Sequence, residues 1–254
     1  TDIDLEYAEK YLLLSADSNN YKAQYMLGKL YQSDNKKDLQ KAEKVLIKGA
    51  ENAQDKTGLC EYSLGKLYLS QERYDKAASY LERSAAKDNY YAAYTLGKLY
   101  QEQFNDNALA EKHLMHAAEH KDDVMGIAAY RLGKLYLSFQ EKRKALQYFI
   151  KAADKDNVYG MYAAGKILLD SRKSTEVSKG IRYLSSAADK DFEPAIYTLG
   201  KYYSSFNNTK AKEYLKRSAF EYNDPNAQYI LGKVYLSENK NEMAEKCFRQ
   251  CALN

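Results

Sequence analysis

Apolar and polar positions along the chain recur with a helical period, and one short pattern returns seven times. It centres on a Gly-Lys pair, at Gly28-Lys29, Gly65-Lys66, Gly97-Lys98, Gly133-Lys134, Gly165-Lys166, Gly200-Lys201 and Gly232-Lys233, with spacings of 32 to 37 residues. Three positions before each glycine stands a tyrosine: Tyr25, Tyr62, Tyr94, Tyr130, Tyr162, Tyr197 and Tyr229. Three positions after it stands Tyr31, Tyr68, Tyr100, Tyr136, Tyr203 or Tyr235, with Leu168 in the fifth copy. Leucine precedes the glycine in every copy but the fifth, which has Ala164, and a small residue such as Ala23, Ala92 or Ala195 lies five before it. Offsets of three, four and eight place these residues on a few faces of a helix, so each copy predicts one amphipathic helix, termed A.

A second pattern follows each A helix, as in Lys76-Ala77, Tyr80-Leu81 and Ala85-Ala86, or Lys144-Ala145, Tyr148-Phe149 and Ala152-Ala153. It predicts a helix B. Polar turns such as Lys87-Asp88-Asn89 and Lys155-Asp156-Asn157 separate the copies, and Asp224-Pro225 reads as an N-cap followed by proline in the first helical turn. Both prolines, Pro194 and Pro225, fall at the start of an A helix. Only 2 prolines and 12 glycines in 254 residues exclude a loop-rich β-sandwich, so the fold class is all-α. Residues 7 to 16 fit a B helix with no A helix before it, and the chain is expected to be a fragment of a longer protein.

At about 100° per residue, each A helix has two faces. The small residue, the leucine before the glycine and the residues two and three after it form the core side. Roughly opposite lie the tyrosine three before the glycine, the lysine one after it, and the residue four after it. This gives a ladder of Tyr25 and Lys29, Tyr62 and Lys66, Tyr94 and Lys98, Tyr130 and Lys134, Tyr162 and Lys166, Tyr197 and Lys201, Tyr229 and Lys233. Helix packing alone has no reason to demand lysine seven times. A flat ring with a mobile ammonium beside it suits an extended anionic ligand, and the ladder is expected to face a groove.

Charge refines this reading only slightly. The 39 basic and 35 acidic residues leave a net charge of +4, too even to demonstrate a nucleic-acid or membrane partner. No apolar run approaches the length of a spanning helix. Three cysteines, Cys60, Cys247 and Cys251, fit a reducing compartment and small buried packing roles, so a cytoplasmic location is expected. His113, His116 and His120 fall on one face of a B helix and form a weak metal candidate. Gly160 to Ile167 imitates a phosphate-binding loop, but Ile167 stands where Ser or Thr should be and the segment lies within a repeat helix. No nucleophile and base arrangement is visible, so neither an enzyme nor a cofactor is expected. Asn207-Asn208-Thr209 would matter as a sequon only in a secretory compartment.

The run Ala92-Ala93-Tyr94-Thr95-Leu96-Gly97-Lys98-Leu99-Tyr100, followed by an Ala-rich helix, resembles the Sel-one-like repeat (SLR) family, relatives of tetratricopeptide repeats. The resemblance covers nearly the whole chain. It implies a right-handed superhelical α-solenoid of stacked helix-turn-helix units over residues 1–254, about seven units behind one B-type half-repeat. It further implies a non-enzymatic scaffold binding a partner protein or an extended acidic peptide in its concave groove. The links here, such as Ser70-Gln71-Glu72-Arg73, are shorter than the usual SLR loop, which predicts tighter hairpins. The Leu-Gly-Lys-Leu-Tyr form also resembles SLR tails of plasmid-mobilising relaxases from bacteria. That resemblance implies an alternative role contacting relaxosome partners or DNA phosphates.

Overall fold

A computed structural model describes residues 2–253. The chain divides into two compact units, Thr1–Asp123 and Val124–Asn254. The first holds α1 (Asp2–Asp17), α2 (Tyr21–Leu30), α3 (Leu39–Ala50), α4 (Leu59–Ser70), α5 (Tyr74–Ala86), α6 (Tyr90–Glu102) and α7 (Asn107–Glu119), with a 3-10 turn at Asp34–Lys36. The second holds α8 (Ile127–Ser138), α9 (Lys142–Asp154), α10 (Val158–Leu169), α11 (Ser174–Ala188), α12 (Glu193–Tyr203), α13 (Asn208–Lys216), α14 (Pro225–Ser237) and α15 (Asn241–Leu253). A π-helical turn, Arg217–Glu221, extends α13. Even numbers are the A helices and odd numbers the B helices, and no strand occurs among the described residues. Within each unit every helix packs against its neighbours in sequence.

The repeat glycines mark the tightest contacts. A β-carbon on Gly28, Gly65 or Gly97 would lie 2.4–2.5 Å from Leu46, Leu81 or Leu114 of the following B helix. In the second unit, Gly133, Gly165, Gly200 and Gly232 stand in the same relation to Phe149, Leu184, Leu215 and Phe248. The missing side chain lets a large apolar group rest on the backbone of helix A, and those leucines are fully buried.

Turns between repeats carry a double device. Asp88 and Asp156 take positive φ values of 62° and 65°, a conformation Asp and Asn tolerate better than most side chains. The next residue, Asn89 or Asn157, accepts an N–H of the new A helix, from Ala92 or Gly160. Its amide also donates to the carbonyl of Thr57 or Met125, about one repeat earlier. Where the link from B to A is longer, Gly58 and Gly126 adopt φ of 68° and 62° against the backbone of Ser84 and Ala152. These longer links contribute to the 37- and 36-residue spacings, and in the first repeat the link from Leu30 of α2 to Leu39 of α3 is longer as well.

Three acidic residues, Asp55, Glu61 and Asp123, are buried in the first unit. Glu61 of α4 is fully covered, and Lys87 donates to it at 2.5 Å while also donating to the carbonyl of Asp55 at 2.6 Å. Nearby, burial opposes ionisation of Asp55. The N–H of Cys60 and the hydroxyl and N–H of Thr57 overcome that cost and hold its carboxyl below the usual range.

Candidate functional site: the tyrosine and lysine face of the A helices

The two tyrosine sets divide as their offsets suggest. Those three after the glycine close the stack: Tyr31, Tyr68, Tyr136, Tyr203 and Tyr235 are buried, and Tyr100 is half-buried. Three of these rings lie on tyrosines of the following B helix, Tyr68 on Tyr80 at 5.5 Å, Tyr136 on Tyr148 at 5.4 Å and Tyr203 on Tyr214 at 6.0 Å. In the first unit their hydroxyls donate to glutamates of the preceding B helix. The pairs are Tyr31 to Glu9 at 2.9 Å, Tyr68 to Glu43 at 2.7 Å and Tyr100 to Glu82 at 2.6 Å. Burial, then the glutamate, pushes Tyr31 and Tyr100 up to about 12.

The ladder set lies nearer the surface. Tyr229 is exposed and the other six are half-buried, while every ladder lysine except the half-buried Lys98 is exposed. Four lysines fold back over the ring one turn earlier: Lys29 over Tyr25 at 5.6 Å, Lys66 over Tyr62 at 5.9 Å, Lys166 over Tyr162 at 5.3 Å and Lys233 over Tyr229 at 5.7 Å. At exposed sites such contacts contribute about 0.5–1 kcal/mol, enough to bias a flexible side chain but not to neutralise it. Burial raises Tyr62, Tyr130 and Tyr197 above the usual tyrosine range.

None of the seven ladder lysines forms an ion pair among the described residues, whereas lysines elsewhere commonly do, as Lys36 with Glu9, Lys144 with Glu141 and Lys212 with Glu238. The structure brings Lys201 and Lys233 together on the wall of one open depression in the second unit.

Aromatic residues outside the repeat offsets extend this face. Tyr91 lies 6.0 Å from Tyr62, and Tyr159 bridges Tyr130 at 5.7 Å and Phe192 at 5.2 Å, with Phe192 in turn 5.4 Å from Tyr162. Tyr91 and Tyr159 are more than half exposed. Both stand six before their glycines, a signal in the sequence that two copies out of seven leave faint.

The histidines do not form a metal cluster: among the described residues no group of three metal-ligating side chains converges. His113 takes the tyrosine position of its B helix and stacks on Tyr100 at 5.6 Å, and burial lowers it below the usual histidine value. His120 Nδ1 accepts the N–H of Asp122, and its Nε2 lies 3.4 Å from a carboxylate oxygen of Asp88. His116 Nε2 faces the other oxygen of Asp88 at 3.3 Å. All three cysteines are free, with Cys60 and Cys247 buried and Cys251 half-buried. The segment from Gly160 to Ile167 lies inside α10, and Asn207 caps α13 by accepting the N–H of Lys210.

The stacked helix pairs and repeated close contacts define a helical-repeat solenoid. Residues 59–89 and 225–253 each match the tetratricopeptide repeat family. Its structural neighbours are SLR and tetratricopeptide proteins. A protective antigen of uropathogenic Escherichia coli displaying an SLR fold superposes with a TM-score of 0.78 at 20% identity, over 97% of this chain and 57% of the antigen. The chain therefore spans little more than half of that protein. A Sel1 repeat protein from Oxalobacter formigenes gives a TM-score of 0.57 at 22% identity, over 74% of this chain and 80% of its own. YrrB, a tetratricopeptide repeat protein with an unusual peptide-binding site, gives 0.51 at 20% identity, over 74% and 96%. No curated protein matches the sequence. A scaffold of this type fits protein–protein interaction in general, and such repeat proteins are generally non-enzymatic. Among the described residues no helix is long and apolar enough to cross a membrane.

Proposed function

We propose that the chain is a non-enzymatic, cytoplasmic scaffold that holds an extended acidic segment of a partner protein against the tyrosine and lysine face of its A helices. The carrying observation is the set of seven ladder lysines without a carboxylate partner among the described residues. Unpaired cations beside half-buried rings provide charge complementarity to carboxylates and flat apolar surface to the stem of a bound chain. The peptide-binding site named for YrrB accords with a peptide ligand.

The test uses a fluorescein-labelled decaglutamate peptide at low ionic strength, with the wild-type chain and the Lys166→Ala, Lys201→Ala, Lys233→Ala triple variant. At about 0.5 kcal/mol for each exposed charge contact, the variant should bind roughly tenfold more weakly. Its helical circular dichroism should match the wild type. Unchanged affinity would show the ladder to be a solvated face. The alternative role in DNA handling predicts a second outcome. Duplex DNA would then bind more tightly than the peptide, with affinity falling steeply with salt in proportion to the phosphates contacted.

A further inference from the structure

The depression walled by Lys201 and Lys233 is more than two rungs of a charge ladder. It lies between the C-terminal ends of α10 and α12 and the side of α14, has a volume of about 840 Å³, and includes Leu169, Ile230 and Val234 among its apolar lining. At its rim stands Phe206, 62% exposed, in the turn after α12. Backbone bonds fix that turn: the N–H groups of Phe206 and Asn207 both donate to the carbonyl of Tyr203, at 3.1 and 2.8 Å. The ring of Phe206 sits edge-on to Tyr202 at 5.0 Å.

The repeat scaffold does not require an aromatic residue there. Six positions after the glycine, the other copies carry Asp34, Gln71, Gln103, Phe139, Ser171 and Glu238, and Phe139 is half-buried. An exposed ring beside apolar lining residues and two ammonium groups offers apolar surface and charge in one place. The charged groups lining the depression are Lys201, Lys233 and Asp170, which leaves the site cationic.

We infer that this depression is the anchoring subsite of the binding face. It takes one aromatic or large aliphatic side chain of the partner onto Phe206 and the apolar floor, while carboxylates flanking that side chain meet Lys201 and Lys233. The inference rests on the acidic-segment reading above and adds a specific requirement: a bulky apolar residue within the acidic run. Energy in such interfaces concentrates on an aromatic anchor in a pocket, with surrounding charge guiding approach.

The chain contains no tryptophan, so a ligand tryptophan reports its own environment. The probe is the peptide Glu-Glu-Trp-Glu-Glu with blocked termini, excited where tyrosine does not absorb, against blocked pentaglutamate as control. The subsite predicts a saturable blue shift of tryptophan emission and affinity about tenfold above that of pentaglutamate. Phe206→Ala should remove the shift and that advantage, and Lys201→Ala with Lys233→Ala should weaken both peptides. Binding of both peptides with equal affinity, or a blue shift that survives Phe206→Ala, would overturn the subsite and leave the charge-ladder reading standing. Failure of both peptides to bind at low salt would overturn both readings.

Discussion

Gly97 of α6 lies so close to Leu114 of α7 that a β-carbon on the glycine would sit 2.5 Å from Leu114 Cγ and 3.2 Å from the Leu114 backbone nitrogen. On helix propensity alone, Gly97→Ala would stabilise by about 0.5–1 kcal/mol. The overlap reverses the sign. Overpacking a closed core costs about 1–3 kcal/mol, so thermal unfolding followed by circular dichroism should show a lowered Tm. In a Leu114→Ala background the same substitution should cost much less. An equal cost in both backgrounds would mean that the contact is not what excludes a side chain.

Lys87→Met should be among the most damaging surface-accessible changes in the first unit. It leaves the buried Glu61 carboxylate with only Arg83, at 3.8 Å, and removes the bond to the Asp55 carbonyl. Breaking a buried pair on one side typically costs about 3–5 kcal/mol, whereas replacing both partners by apolar groups is often close to neutral. Denaturant unfolding of Lys87→Met and of the double variant with Glu61→Leu distinguishes these outcomes. A double variant no more stable than the single would contradict the assignment.

Asn89→Ala removes two bonds at once, the cap on α6 from Ala92 and the tie to the Thr57 carbonyl. An N-cap alone is worth about 1 kcal/mol, and the lost tie should bring the total to about 2 kcal/mol. Asn89→Asp keeps the acceptor and loses the donor, so it should fall between the two in a denaturant titration.

Alkaline pH should dismantle the stack in a defined window. Tyr31 and Tyr100, raised to about 12 by burial and by Glu9 and Glu82, have an ordinary tyrosine value near 10 once unfolded. The native chain therefore holds more protons above pH 10, and the stability these groups provide is complete below that value and lost as pH rises through about 12. Tyrosinate absorbance should show a late-titrating fraction whose appearance coincides with loss of helical signal. Tyr100→Phe should shrink that fraction. A single titration near pH 10 with the fold intact would contradict the burial described for these rings.

The sequence by itself determined the helices, their pairing into A and B, the turn residues and the division of tyrosines into two sets. Each of these depends on spacing within one helix or one turn, and local periodicity records such spacing directly. Asp224 and Pro225 begin α14 as their types require, with Asp224 accepting the N–H of Asn226. Tertiary structure alone decided what the repeated spacing brings together across repeats. Gly28 meets Leu46, His113 stacks on Tyr100 instead of meeting a metal, and Tyr159 reaches Phe192, which stands 33 positions on. The absence of ion pairs at the ladder lysines among the described residues and the depression beside Phe206 belong to the same class. Whether a charge finds a partner, or an apolar ring finds cover, depends on side chains delivered by helices distant in sequence, and only packing in three dimensions sets those distances.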